Sequence, residues 1–365
     1  MPDTSVLLAA TADVMLADPC EMQQYLARYF SEFGDVDWQG PACTLSLAFG
    51  TVNLSVTEGQ LRLRAESKDE AALAHLKLAM AGHLLARAGA PAPRLVWRGH
   101  GEAGSPLPYF REMRVAARAS ITPHVMRLTL TGADLGRFAL NGLHVKLLIP
   151  QPGSRPGAWP VMGEDGRPFW PTGALKPVAR AYTIRRIDVA SGEVDIDFVQ
   201  HDGADMPGAN FARTASIGEA VGMTGPGGGS VGAADWYLLA GDETALPAIA
   251  RILETLPATA RVVARIEVAN AAECQPLASA AQVDMQWLMR GDQAAGTTTL
   301  LPDALREVEW PAEPTSVFAW VGCEHAAARL IRSYLREERG LARAQHLCAA
   351  YWRRGMPADA AGSTD

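Results

Sequence analysis

An arginine, a tyrosine and a threonine open the segment Arg180-Ala-Tyr182-Thr183-Ile-Arg185-Arg186. After a Ser191-Gly192 turn comes the alternating run Glu193-Val-Asp-Ile-Asp-Phe-Val-Gln-His201. Val194, Ile196 and Phe198 share one face of that run and Asp195 and Asp197 the other, so the whole reads as a β-hairpin. Arginine offers paired charge-assisted bonds to phosphate, tyrosine a flat ring for stacking, and threonine a hydroxyl that donates or accepts at a ring edge. Together they suit a planar ligand with a diphosphate tail. The plain alternative is a surface Arg beside a core Tyr.

Further groups follow in order. Beyond His201, the stretch Asp205-Met-Pro207-Gly208-Ala-Asn210-Phe211-Ala212 is a tight turn opening a short helix, whose first amides face outward as an anion requires. Gly225-Pro-Gly-Gly-Gly229 closes a strand. Gly241-Asp242-Glu243-Thr244 follows an apolar strand directly, so the chain turns sharply and presents helix amides where a pyrophosphate can lie. It lacks the G-x-G-x-x-G fingerprint, its acids would repel a phosphate they faced, and a well-capped helix is the even alternative. Arg265 and Arg290 stand at or near strand ends, where each could meet a ribose phosphate or simply water. Glu324, after Gly322-Cys323, sits at another strand end and doubles as an ordinary partner of a helix dipole. Tyr351-Trp352-Arg353-Arg354-Gly355 is an aromatic and basic cluster placed after the last strand, and Lys146 lies in the alternating stretch Leu143-His-Val-Lys146.

From residue 109 to 355 these motifs, in this order, resemble the siderophore-interacting protein family, FAD-dependent ferric-siderophore reductases related to ferredoxin reductases. The resemblance implies FAD on a six-stranded flavin-binding barrel, with Arg180 and the amides around Gly208, Asn210, Phe211 and Ala212 on its pyrophosphate. It implies Tyr182 stacked on the isoalloxazine and Thr183 near the reactive edge as the catalytic pair, with His201 also at the FAD. It assigns Gly241, Asp242, Glu243, Thr244, Arg290 and Glu324 to a pyridine nucleotide, and Lys146, Trp352, Arg353 and Arg354 to an anionic ferric siderophore or other ferric chelate. NAD(P)H would supply hydride, and reduction would release Fe(II). A ferredoxin donor, a free-flavin acceptor and a non-catalytic siderophore-binding protein are the rival readings. One departure stands out: relatives often read Gly-Pro-Arg-Gly where this chain has Gly225-Pro-Gly227-Gly.

The elements that must position these residues fall into a multidomain α+β and α/β arrangement across 365 residues. Residues 1–100 read as a small α+β domain: a helix over 21–33, a strand meander, and a second helix opened by a Ser67-Lys-Asp-Glu capping box. His75 and His83 lie eight apart on that helix without a third ligand, so satisfied histidines outweigh a metal site. A Pro- and Gly-rich linker leads to an antiparallel barrel over 109–232, interrupted by an irregular loop, 151–176, whose Trp159 and Trp170 either cover a ligand or pin the loop to the barrel. Over 235–357 strands and helices alternate as in a Rossmann-like parallel sheet. Five scattered cysteines with no C-x-x-C pair exclude the common zinc and iron–sulfur spacings and leave no metal assigned to the protein itself. A formal charge of -7 argues against nucleic acid as a partner. The lack of a long apolar run or a basic leader argues against membrane insertion, and the expected compartment is cytoplasmic.

Overall fold

The computed structural model describes residues 7–140, 142–154, 157–200, 206–229, 231–312 and 315–355. They divide into two compact units: residues up to Phe110 with Ala158–Lys176, and Arg111–Gly157 with the chain from Pro177 onward.

The first unit is an antiparallel sheet of order β2-β3-β4-β5-β1-β6 with two helices. Its elements are β1 (Leu8–Met15), α1 (Pro19–Phe30), β2 (Gly34–Gln39), β3 (Ala42–Leu47), β4 (Gly50–Thr57), β5 (Gln60–Ser67), α2 (Glu70–Ala88) and β6 (Arg98–Gly99). Strand alternation is direct: Leu61, Leu63 and Ala65 are fully buried while Arg62 and Arg64 face out. The cap of α2 differs from expectation. Ser67 stays in β5, and Asp69 is the N-cap, accepting from the Ala72 amide at 2.8 Å. His75 stacks between Phe49 and Tyr109, whereas His83 lies against Tyr29, so the two rings go to separate aromatic contacts. Among the described residues no cluster of His, Cys, Asp and Glu could hold a metal ion.

The second unit opens with a closed six-stranded antiparallel barrel of order β12-β13-β8-β7-β14-β9. In chain order its parts are β7 (Phe110–Thr122), β8 (Val125–Thr131), α3 (Gly136–Leu140) and β9 (His144–Ile149). An excursion with the short strands β10 (Val161–Met162) and β11 (Pro168–Phe169) follows, then β12 (Val178–Asp188), β13 (Glu193–Val199), α4 (Pro207–Thr214) and β14 (Ala220–Gly227). The excursion belongs to the first unit, where the Trp97 indole donates to the Asp165 carbonyl at 3.1 Å and the Trp159 ring lies 5.6 Å from Phe110. Val194, Ile196 and Phe198 fill the barrel as their period requires. The opposite face of β13 is covered too. Asp197 forms a two-pronged pair with Arg127, directly across on β8, at 2.6 and 2.8 Å, and Asp195 accepts from Thr129 and Arg186. Charge pairing therefore buries two carboxylates that alternation alone would leave in water.

The chain then builds a parallel sheet of order β17-β16-β15-β18-β19. Its elements are β15 (Trp236–Gly241), α5 (Leu246–Thr255), β16 (Arg261–Val268), β17 (Gln282–Met289), α6 (Leu300–Arg306), β18 (Val317–Glu324), α7 (His325–Ser333) and β19 (His346–Trp352). Two expectations change. Residues 242–245 are a turn, so the helix expected directly after the apolar strand opens only at Leu246, as α5. Tyr351 and Trp352 do not follow the last strand but end β19, a strand whose short apolar run was not recognised. The direction of winding reverses between β15 and β18, so the crevice at their carboxyl ends is the topological switch point.

Glu273 fastens barrel and sheet within this unit. Its carboxylate, 1% exposed, accepts from the Thr122 hydroxyl at 2.5 Å and meets His124 Nδ1 at 2.8 Å. Glu273→Ala leaves the Thr122 hydroxyl without its acceptor and should destabilise the unit by about 2–4 kcal/mol. Urea denaturation of the full chain checks this, since an unchanged midpoint would remove Glu273 as a fastener.

Candidate functional site

The barrel side of the site is built on β12. Arg180, Tyr182 and Ile184 share one face by strand period, paired with Leu147, Val145 and the backbone before β9, while Thr183 lies on the other face opposite His144. The Tyr182 ring packs 4.4 Å from Phe198, and its hydroxyl reaches the first turn of α4. A Cβ on Gly208 would stand 1.6 Å from that hydroxyl, so only glycine fits there. Burial pushes the Tyr182 phenol above its usual range, and the Arg180 guanidinium acts on it in the opposite sense. Arginine, ring and helix start thus converge.

The helix start is sparer than the motif implied. Pro207 has no amide hydrogen, no side chain among the described residues caps the turn, and the Asn210 amide already bonds to the Met206 carbonyl. Among the described residues that leaves the amides of Gly208 and Ala209 for an anion. Phe211 and Ala212 are core residues at 2% and 0% exposure, and the Asn210 side chain accepts from Arg213. His201 lies outside the described residues. An arginine, two uncapped amides and a ring beside them still make a donor set that fits a flavin dinucleotide.

The sheet side is organised by Asp242, only 7% exposed. Its carboxylate accepts from the Thr244 amide (3.0 Å) and hydroxyl, the Glu324 amide (3.0 Å) and the Trp352 indole (2.8 Å). Burial raises its pKa and these donors pull it back. Asp242 therefore ties together the ends of β15, β18 and β19 and does not point its charge outward. Gly241 faces Gly322 across β15 and β18, and a Cβ on Gly241 would lie 2.5 Å from the Gly322 carbonyl oxygen. Glu243 and Arg290 form a buried ion pair at 2.5 Å, with Glu243 raised by burial, and Arg265 pairs with Asp284 at 2.9 Å. Both arginines offered to a ribose phosphate are thus already engaged by carboxylates. Glu324 caps α7 through the Ala326 amide and accepts from the Arg354 amide at 3.2 Å.

A cavity of about 270 Å³ opens at these strand ends, lined by Asp242, Glu267, Thr298, Cys323, Glu324 and Arg354 among others. Glu267, which sequence reasoning passed over, accepts from the Thr298 hydroxyl at 2.9 Å and is raised by burial. An acid at the end of an apolar strand was its one visible signal. Lys146, Arg353 and Arg354 are exposed, whereas Trp352 is engaged with Asp242. The residue that joins the two sides was also passed over: His144, two before Lys146, bonds through Nε2 to the Tyr351 hydroxyl.

Comparison with known proteins gives the family. Residues 114–230 match the siderophore-interacting FAD-binding domain, 234–355 the siderophore-interacting protein family, and 11–98 an uncharacterized protein family conserved in bacteria (DUF2218). The chain is 34% identical over 256 residues to the ferric vibriobactin reductase ViuB of Vibrio cholerae serotype O1, covering 69% of this chain and 92% of that one. It also matches a siderophore utilization protein from T. fusca (40% identity, TM-score 0.61, 68% and 94% covered). The siderophore-interacting protein SipS from Aeromonas hydrophila matches too (28%, TM-score 0.59, 69% and 94%). A flavin-type barrel, a parallel sheet with its switch point beside it, and this likeness make the chain a member of the siderophore-interacting protein family.

Proposed function

We propose that the protein is an FAD-dependent reductase of ferric siderophores or similar ferric chelates, acting in the cytoplasm and releasing iron as Fe(II). The observation that carries this reading is the convergence of Arg180, Tyr182 and Gly208, where the phenol fills the space a Cβ would need. Arg180 and the Gly208 and Ala209 amides would hold the pyrophosphate, Tyr182 would flank the ring, and Thr183 would stand at the reacting edge. FAD, when bound, supplies the conversion between a two-electron donor and one-electron acceptors. The gain from reduction lies in ligand hardness, since oxygen-rich chelators hold Fe(III) far better than Fe(II). No helix among the described residues is long and apolar enough to cross a membrane.

The exposed Lys146 and Arg353 stand two residues along their chains from the His144–Tyr351 contact, and with Arg354 they form the basic rim proposed to receive an anionic chelate. The donor we assign is a nicotinamide dinucleotide. Its carboxamide N–H groups suit the carboxylates around the switch-point cavity, and the paired Arg265 and Arg290 favour NADH over the 2′-phosphorylated form. The same carboxylates and the missing glycine fingerprint favour a ferredoxin as the second reading. Rates with NADH, NADPH and reduced ferredoxin, each with ferric EDTA, separate the two. Turnover with ferredoxin alone would overturn the nicotinamide assignment.

Three variants test the residue roles. Arg180→Ala and Gly208→Ala should each lower the flavin content of the purified protein, the second by displacing the Tyr182 hydroxyl, and normal flavin absorbance in either variant removes that role. Arg353→Ala with Arg354→Ala should raise KM for an anionic ferric chelate by about tenfold or more, as expected for lost charge-assisted bonds, with flavin content unchanged. Saturation curves matching the wild type would show that the rim does not bind the chelate.

A further inference from the structure

Three side chains meet where β9, β12 and β19 come together, and the roles assigned above use only one of them. Thr183 on β12 is opposite His144 on β9 in register. Tyr351 on β19 bonds through its hydroxyl to His144 Nε2, the two rings standing edge to face at 83°. The Thr183 hydroxyl is buried beside the same phenol, which burial raises and Thr183 pulls partly back, although the two are not aligned as a full hydrogen bond. On the far side of the imidazole the backbone of the 225–229 turn closes over the ring: Gly227 pairs with His144, and a Cβ on Gly228 would sit 2.3 Å from Nδ1. Gly228 itself is exposed and adopts φ +87°, so this end of the imidazole lies just beneath the surface. The Tyr351 ring is held edge-on to Trp320 and against Gly322, which keeps its hydroxyl directed at His144.

We infer that Thr183, Tyr351 and His144 form a proton relay leading from the reacting edge of the site to solvent at Gly228. The inference rests on the proposed function. Oxidation of one NAD(P)H by two Fe(III) gives NAD(P)+, two Fe(II) and one proton, and that proton must leave a partly enclosed site. Each member of the series can donate and accept at once. As a proton reaches Thr183 Oγ1, the hydroxyl passes its own to Tyr351 Oη, the phenol passes its proton to His144 Nε2, and the Nδ1 proton leaves to water. One proton enters, one leaves, and no charge stays behind. Burial favours this resting arrangement. It raises the Tyr351 phenol and, with Arg251 nearby, pushes the His144 imidazole down to about 4, so at neutral pH the phenol keeps its proton and the imidazole is a free acceptor.

Tyr351→Phe keeps the ring and its packing and removes only the hydroxyl. Two measurements on the full chain decide the matter. In the first, the nitrogen signals of 15N-labelled histidines should show His144 as the Nδ1–H tautomer in the wild type, with the Nε2 signal moved in Tyr351→Phe. In the second, protein reduced with dithionite and mixed with ferric EDTA should be reoxidised about tenfold or more slowly in Tyr351→Phe, in line with loss of a positioned acid–base group. Its solvent deuterium isotope effect should change while flavin content stays at the wild-type value. An Nε2 signal that does not move removes the hydrogen-bonded chain. A moved signal with wild-type rate and isotope effect reduces the contact to packing and overturns the relay alone. A wild-type protein that binds no flavin or reduces no chelate overturns the parent reading, and the relay's task with it.

Discussion

One buried carboxylate sets the geometry of the sheet half of this site. Asp242 occupies the turn after β15 and takes hydrogen bonds from groups at the ends of β18 and β19 as well as from its own turn. Left unpaired at this depth it would cost several kcal/mol, on the order of a buried unsatisfied charge, so the three strand ends are obliged to stay together. Glu324 is aligned by its amide, Trp352 by its indole, and Tyr351, one residue earlier, is brought to the barrel. The switch-point crevice acquires its carboxylates as a consequence of this arrangement, not as a phosphate-binding device.

The barrel half answers a different constraint, close approach. Gly208 has no room for a side chain because the Tyr182 hydroxyl already occupies that space, and the phenol reaches there because Phe198 packs against its ring. The outer face of β13 is neutralised by Arg127 and Arg186, so the hairpin can be covered without stranding two aspartates. Each half supplies what the other lacks. The barrel offers guanidinium, ring and amides, while the last strand offers the phenol that reaches His144.

The hairpin and the parallel sheet were legible because their signal is local. Alternation in residues 194–198 and the apolar strands after Asp235 depend on nearest neighbours along the chain, and the structure keeps both. The capping of α2 was misplaced by two residues because Ser67 is held by a strand partner, Leu8, that propensity cannot see. β19 was missed because His346-Leu-Cys-Ala-Ala-Tyr-Trp is too short to separate strand from coil by pattern, and its parallel partner β18 is more than twenty residues away in sequence.

The sequence by itself determined the kinds of group available and the order of the elements that bear them. That was enough to name the family. Only the tertiary structure decided which charges are spent. Arg290, Arg265 and Asp242 look alike as candidate ligands in the sequence, yet each is engaged by a partner from another segment, whereas Lys146, Arg353 and Arg354 remain at the surface. The reason is that burial and pairing depend on contacts between residues distant in the chain, so a side chain's freedom to act is a property of the fold.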